Sequence, residues 1–380
     1  MSENNLNIQM VDLKSQYMKI KPQVDQAIND VLSSTQFING EHVKSFQNEL
    51  AAYLDVKHVI TCANGTDALQ ISMMALGLKP GDEIITPSFT YIATTEVIGL
   101  LGLKPVFVDC NPENFNISVD EVEKAITKKT KAIVPVHLFG QSSDMKSIMS
   151  LAKKYNLFVI EDNAQAIGSN YLGFNQPQKT GTIGNIGCTS FFPSKNLGCF
   201  GDGGAMMTND DELAKKLRMI ANHGQSKRYY HDIVGCNSRL DNIQAAVLRI
   251  KLKELDQYIL NRQKAANYYD QNLKDLDQLT LPFRNLDSNH VFHQYTLKLD
   301  DSIVRDELIQ YLAEKNIPAM VYYPVPAHRQ KMFSKIPNSC GNMKVTNWLS
   351  SRVFSLPMHT ELSTLQQDYI IENISNFLNK

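Results

Sequence analysis

The chain has 380 residues, 43% hydrophobic and 20% charged, with a formal net charge of -1. That length exceeds one comfortable core, so two domains are expected, and the balanced charge without a long basic run argues against a nucleic-acid or membrane-surface partner. The six cysteines are scattered without a CxxC pair. They indicate neither a zinc site nor a disulfide framework, and the expected setting is reduced and cytoplasmic. The start, MSENNLNIQM, lacks the basic and apolar stretches of a signal peptide, and no apolar run approaches the ~18 residues that span a bilayer.

In chain order, Ile20, Val24, Ile28, Val31 and Leu32 predict an amphipathic helix, and Val43, Phe46, Leu50 and Leu54 a second, with a turn at Phe37-Ile38-Asn39-Gly40. Strand-like runs then alternate with helix-period segments. His58 to Cys62 leads through Asn64-Gly65-Thr66-Asp67 into a helix carrying Leu69, Met73 and Leu76. Asp82 to Thr86 precedes a helix over Thr90 to Leu101, and Pro105 to Asp109 precedes Val119 to Ile126. Ala132 to Leu138 precedes Met145 to Lys154, and Leu157 to Ile160 runs into Glu161-Asp162. This alternation predicts right-handed crossovers and a mostly parallel sheet flanked by helices, with ligands bound beyond the C-terminal strand ends. After Met207 the pattern changes. Leu213 to Ala221 and the long stretch Asp241 to Leu273 read as helices. A strand (Val291 to Leu299), a helix (Val304 to Ala313), a strand (Ala319 to Tyr323) and a helix (Leu365 to Leu378) then predict a smaller C-terminal α+β domain. The expected division is 1–255 and 256–380.

Three stretches carry candidate chemistry, each with a plainer reading beside it. Asn64-Gly65-Thr66-Asp67 lies where a strand turns into a helix; it is either a simple N-cap or an anion site built from free N–H groups and the helix dipole. No Walker loop occurs, which disfavours ATP. Asp162 closes a strand, and either caps the following turn or delivers a carboxylate that wants a cationic or proton-bearing partner. Gln165 follows three residues later. Lys195 sits between Phe191-Phe192 and a loop holding Gly198, Gly201, Gly203 and Gly204, which let the chain pass close to something bulky. It is either an ordinary loop lysine or one moved out of water, whose neutral amine can form a Schiff base. Jointly, a phosphate cradle, a strand-end carboxylate and a lysine some thirty residues later are what pyridoxal phosphate requires. His223, His231, His328 and His359 have no metal-ligand spacing, and no metal is expected.

The motifs CANGTDALQ (62–70), GDEIITPSFTYIAT (81–94), EDNAQAIG (161–168), TSFFPSKNLGCFGDGGA (189–205) and GCNSRLDNIQAA (235–246) make the chain resemble the DegT-type nucleotide-sugar aminotransferases. These belong to the fold-type I pyridoxal-phosphate enzymes, and the resemblance covers nearly the whole chain. It implies that Lys195 carries the cofactor, that Asp162 pairs with its pyridine nitrogen, that Gln165 lies against the ring and its hydroxyl, and that Tyr91 stacks on it. Gly65, Thr66 and Ser190 match phosphate ligands. Asn237 matches a phosphate ligand supplied by a neighbouring subunit, which implies a homodimer with shared active sites.

Relatives with histidine in place of the lysine are dehydratases; Lys195 implies transamination, with L-glutamate becoming 2-oxoglutarate. The likeness is strongest to the C3-aminating branch acting on UDP-2-acetamido-2-deoxy-3-oxo-D-glucuronate in surface polysaccharide biosynthesis. There Arg239 matches a substrate ligand from the partner. Tyr322, Tyr323 and His328 fall in a substrate-side segment, where strand packing is the plainer reading for the tyrosines. Tyr322 departs from the histidine common in that branch, so amination of a dTDP-linked 3-keto-6-deoxy sugar or a UDP-linked 4-keto sugar remains the alternative, and behind it a sugar dehydratase on the same cofactor.

Overall fold

The computed structural model describes residues 6–379. An eight-stranded sheet runs in the order His58–Cys62, Gly204–Thr208, Ile186–Ser190, Phe158–Asp162, Thr130–Ile133, Glu83–Pro87, Lys104–Val108, Ser339–Cys340. All neighbours are parallel except Gly204–Thr208, which runs against both of its own. Adjacent residues of one strand point to opposite faces. Ile84, Ala132 and Ile160 accordingly pack with Leu69, Val97 and Leu217 from helices on one side. Their neighbours Ile85, Ile133 and Val159 pack with Val122, Ile148 and Leu151 on the other. A third cluster joins the helices Glu41–Leu54 and Asn242–Lys253 to Val59, Ala205 and Met207. With both faces covered, the strands are apolar almost throughout.

Local chemistry sets the helix starts. Asn64, Ser118, Asp144 and Asp210 each accept a backbone N–H of the first turn of their helix, and Ser363 with Gln366 forms a capping box. The C-terminal part holds a three-stranded antiparallel sheet, Leu279–Thr280, Tyr295–Leu299 and Val353–Leu356. It packs on the helices Arg305–Glu314 and Thr364–Leu378 through Leu297, Leu312, Phe354 and Ile370.

Three sequence expectations are corrected. The stretch Asp241 to Leu273 is two helices, Asn242–Lys253 and Leu255–Leu273, parted at Glu254 (φ -94, ψ -6). No glycine or proline marks the break. The second helix leaves the large sheet, where Leu255 and Ile259 pack, to bring Ala265, Tyr269 and Leu273 to the C-terminal cluster. Ala319 to Tyr323 is not a strand: only Met320 bridges to Ser355, because the flanking Pro318 and Pro324 carry no N–H for a ladder. The run to Leu138 ends as a strand at Ile133 and turns through Leu138–Gly140. Finally, Gly204–Thr208, Lys344–Arg352 and Val353–Leu356 are elements that the sequence pattern did not reveal.

Candidate active site

The loops after the strands enclose a cavity of about 800 Å³, reached by residues from Asn64 to Tyr323. Its floor is the end of Phe158–Asp162. The neighbouring Glu161, fully buried, accepts N–H groups from Gly181 (2.8 Å), Ile183 (2.7 Å) and Gly184 (2.6 Å), and lies 2.8 Å from His137 Nε2. His137 Nδ1 accepts from the Ser143 N–H, so Nε2 carries the proton toward Glu161. Thus anchored, the strand delivers Asp162 with little freedom. Its Oδ2 accepts from the Thr94 hydroxyl at 2.7 Å and its Oδ1 from the Ala164 N–H at 3.1 Å. Both of its oxygens are thus hydrogen-bonded within the protein.

Lys195 rises from the loop after Ile186–Ser190. Hydrogen bonds of 2.7–2.8 Å, Phe191 N–H to Gly203 O, Cys199 N–H to Phe191 O and Lys195 N–H to Phe192 O, close that loop. Phe191 anchors it by packing edge-on to Phe46. Lys195, half-buried as a residue, lines the cavity. Loss of water lowers its pKa to about 8, and nearby Asp162 only partly opposes this.

At one side stands the N-terminus of the helix Gly65–Ala75. Asn64 Oδ1 takes the Asp67 N–H, while Gly65 and Thr66, in the first turn, line the cavity with N–H groups that have no partner inside the helix. Two glycines make the approach possible. A Cβ on Gly65 would lie 2.7 Å from Ser190 Cβ, and one on Gly204 would lie 2.4 Å from the Asn64 backbone. The glycine-rich loop therefore passes close to the chain itself at that point. Ser190, which accepts the Phe192 N–H at 3.2 Å, also lines the cavity.

Gln165 is held at both ends, accepting from the Phe139 N–H at 2.7 Å and donating to the Tyr323 hydroxyl at 3.0 Å. Tyr91, 57% exposed, forms a wall tilted against Tyr323 at 6.2 Å. Tyr322 and Tyr323 both line the cavity, and burial raises both phenol pKa values. The other expected residues lie elsewhere. Asn237 is exposed and Arg239 half-buried, with an unpartnered buried Nε, and neither lines this cavity. His328 is tied to Ser88, whose hydroxyl lies 2.6 Å from Nδ1 and accepts the His328 N–H at 3.1 Å. Sequence reasoning missed Thr94, His293 and Gln294. Thr94 stood in a quoted motif, but nothing in the pattern tied it to Asp162; His293 and Gln294 read as the start of a strand. Among the described residues no helix is long and apolar enough to cross a membrane, and no group of His, Cys, Asp and Glu could hold a metal ion.

The chain is similar to known proteins over its whole length. It is 45% identical to a "pleiotropic regulatory protein" of Geobacillus stearothermophilus, over 98% of this chain and 99% of that one. It is 44% identical to UDP-2-acetamido-2-deoxy-3-oxo-D-glucuronate aminotransferase of Pseudomonas aeruginosa, over 97% and 100% respectively. Among solved structures, a DegT DnrJ EryC1 StrS aminotransferase from Brucella abortus superposes with a TM-score of 0.92 at 40% identity, covering 98% of this chain and all of that one. A family model matches residues 18–375, and the chain belongs to the DegT/DnrJ/EryC1/StrS aminotransferase family.

Proposed function

We propose that this protein is a pyridoxal-phosphate-dependent aminotransferase that moves the amino group of L-glutamate to C3 of a UDP-linked 3-keto sugar, with UDP-2-acetamido-2-deoxy-3-oxo-D-glucuronate as the first choice. One observation carries the reading: the Lys195 amine and the Asp162 carboxylate meet in one cavity beside the open end of the helix Gly65–Ala75. That donor set fits the cofactor. The first-turn N–H groups and the Ser190 hydroxyl suit its phosphate, the doubly hydrogen-bonded Asp162 suits its protonated ring nitrogen, and the Tyr91 ring and the fixed Gln165 amide suit its two faces. When bound, pyridoxal phosphate supplies an electron sink that makes the amino-acid Cα–H acidic. Lys195 Nζ moves that proton, a task for which its lowered pKa prepares it. Asp162 keeps the ring nitrogen protonated, and the cavity wall orients the substrate.

The protein works as a homodimer in the cytoplasm, its product serving lipopolysaccharide or O-antigen assembly. Asn237 and Arg239, off the cavity of their own chain, act in that of the partner. The two-domain division at 255/256 belongs to the same reading. It is supported by the C-terminal cluster, although Ile8 joins that cluster from the N-terminal side, while Ile259 and Val291 pack in the large-sheet cluster and Ser339–Cys340 pairs with the large sheet.

The substrate choice rests on relatives such as the UDP-sugar enzymes at 44% identity. dTDP-3-amino-3,6-dideoxy-galactose transaminase at 40% keeps a dTDP-linked 3-keto sugar as the alternative. Assay of UDP- and dTDP-linked keto sugars with glutamate, following 2-oxoglutarate, decides between them. Amination of the UDP-3-keto uronate by at least tenfold in kcat/KM over the others supports the assignment, and preference for a dTDP sugar overturns it. The regulatory name of one relative suggests a cofactor-binding sensor as a second reading. A glutamate-driven change of the bound cofactor to its amine form excludes a protein without catalysis.

A further inference from the structure

Ahead of the helix Asn242–Lys253 burial alternates along the chain as in an extended segment: Asn237 is exposed, Ser238 buried, Arg239 half-buried and Leu240 buried. The two inward residues anchor the two outward ones. Leu240 packs with Phe191 and Leu197, which lie on either side of Lys195 in the chain. Ser238 is 0% exposed, so its hydroxyl must find partners inside the protein. It donates to Asp67 Oδ2 at 2.6 Å and accepts the Ala63 N–H at 3.0 Å, and the Ser238 N–H donates to Ala221 O at 3.0 Å.

Ala63 and Asp67 stand on either side of Asn64-Gly65-Thr66, so this one hydroxyl spans the turn that opens the helix Gly65–Ala75. The turn also closes on itself, the Asp67 N–H donating to Asn64 Oδ1 at 2.8 Å. Ser238 therefore does not make the helix end; it joins that end to residues 237–239. Asp67 lines the cavity, whereas Asn237 and Arg239 do not, and Arg239 keeps a buried Nε without a partner. A hydroxyl bonded to a carboxylate is the stronger, charge-assisted kind of hydrogen bond. A segment off the cavity is thus held by a residue that lines it.

Resting on the shared-site reading above, we propose that Ser238 is a positioning residue for two sites at once: through Asp67 it ties the phosphate end of its own cavity to the Asn237 and Arg239 side chains that its chain lends to the partner's cavity. The test uses dimers of two differently tagged chains, one of them carrying Lys195→Ala. Only the other chain's cavity then turns over, completed by Asn237 and Arg239 of the Lys195→Ala chain. Added to the Lys195→Ala chain, Ser238→Ala raises the KM for the UDP-linked keto sugar about three- to tenfold at saturating cofactor and glutamate. Added to the other chain, it moves that KM by less than about twofold. Asp67→Ala on the Lys195→Ala chain acts as Ser238→Ala does, and the two together add nothing further, because either breaks the same bond. Asp67→Asn there keeps an oxygen for the hydroxyl and leaves the KM within about twofold of the parent pair. Without any turnover, equilibrium dialysis of the Ser238→Ala homodimer shows pyridoxal phosphate held more weakly by about threefold or more. An unmoved KM in the first arm, an equal rise from either chain, or an unmoved cofactor Kd overturns the proposal; should Ser238→Ala not fold, equal KM values for Asp67→Ala and Asp67→Asn overturn it. Failure of the functional reading shows differently: mixed Lys195→Ala and Arg239→Ala chains then restore no activity, or wild type gives no reaction with glutamate, and the proposal falls with it.

Discussion

Thr94→Val tests whether the work of the Asp162 carboxylate depends on the hydroxyl that donates to it. Thr94 is fully buried, and its hydroxyl donates to Asp162 Oδ2 at 2.7 Å; among the described residues the only other side-chain or backbone donor to this carboxylate is the Ala164 N–H at 3.1 Å. Valine keeps the shape of threonine, so the variant opens no cavity and leaves the Ala93–Leu100 helix as it is. What it removes is one charge-assisted hydrogen bond in a dry site, worth about 1.5–3 kcal/mol. At ~1.4 kcal/mol per factor of ten, that loss is about 10- to 150-fold in the glutamate half-reaction. It falls on the chemical step, because Thr94 does not line the cavity. The assay is single-turnover conversion of bound cofactor by glutamate, with occupancy checked by absorbance. Thr94→Ser, which keeps the hydroxyl, recovers most of the rate. A valine variant within threefold of wild type at full occupancy refutes the reasoning, and so does a serine variant no better than valine.

Other expectations follow from the same geometry. Asp162→Asn folds, because its carbonyl oxygen still accepts the Ala164 N–H while the Thr94 hydroxyl can turn toward Thr90, 3.3 Å away, and accept from the new amide; turnover falls by at least about 100-fold, and full activity contradicts the role given to the carboxylate. In cofactor-free protein the reactivity of Lys195 toward an amine reagent rises through about pH 8, and a midpoint near the ordinary 10.5 disproves the desolvated amine. Because the folded pKa is the lower one, the unfolded chain binds more protons between these values. The stability cost of burying Lys195 is therefore present in full below about pH 8 and gone by about 10.5, which thermal unfolding of wild type against Lys195→Met measures. Gly65→Ala forces its Cβ to within 2.7 Å of Ser190 Cβ and moves the helix end. The expected result is about 1–3 kcal/mol of lost stability and weaker cofactor retention on dialysis; unchanged retention shows that the helix end is no phosphate cradle.

Much of the site was legible because the parts that matter sit at the ends of strands. The run before Asp162, the turn after Cys62 and the loop after Ser190 announce themselves by a change from apolar period to polar or glycine residues, and a parallel sheet brings such ends to one edge. His58–Cys62 and Phe158–Asp162 share the same edge although the sequence separates them by some hundred residues. The lysine was legible as well, but the reason its amine is desolvated was not. The chain that encloses it returns from the far C-terminal part, with His293, Gln294, Tyr322 and Tyr323.

Those returning segments explain what local pattern could not supply. Ala319 to Tyr323 has the composition of a strand, yet two prolines and the turn into the cavity leave it a single bridge to Ser355. Its tyrosines are held instead by tertiary partners: Tyr323 by the Gln165 amide, and Gln165 in turn by the Phe139 N–H, a residue held at φ 57 just before Gly140. The Asp241 to Leu273 stretch lacks any breaker, and its division at Glu254 lets the second half run from the large-sheet cluster, which it shares with the first, to the C-terminal one. Both cases have one cause. Helical and strand periodicity record which face of an element is buried, whereas the cavity is built where elements from distant parts of the chain exchange hydrogen bonds one at a time. Gln165 could be assigned to the site from its place after Asp162; that both of its amide ends are already taken by Phe139 and Tyr323 is a property of the assembled wall. That leaves the face of its amide toward the cavity, which Lys195, Gly65 and Thr66 also line.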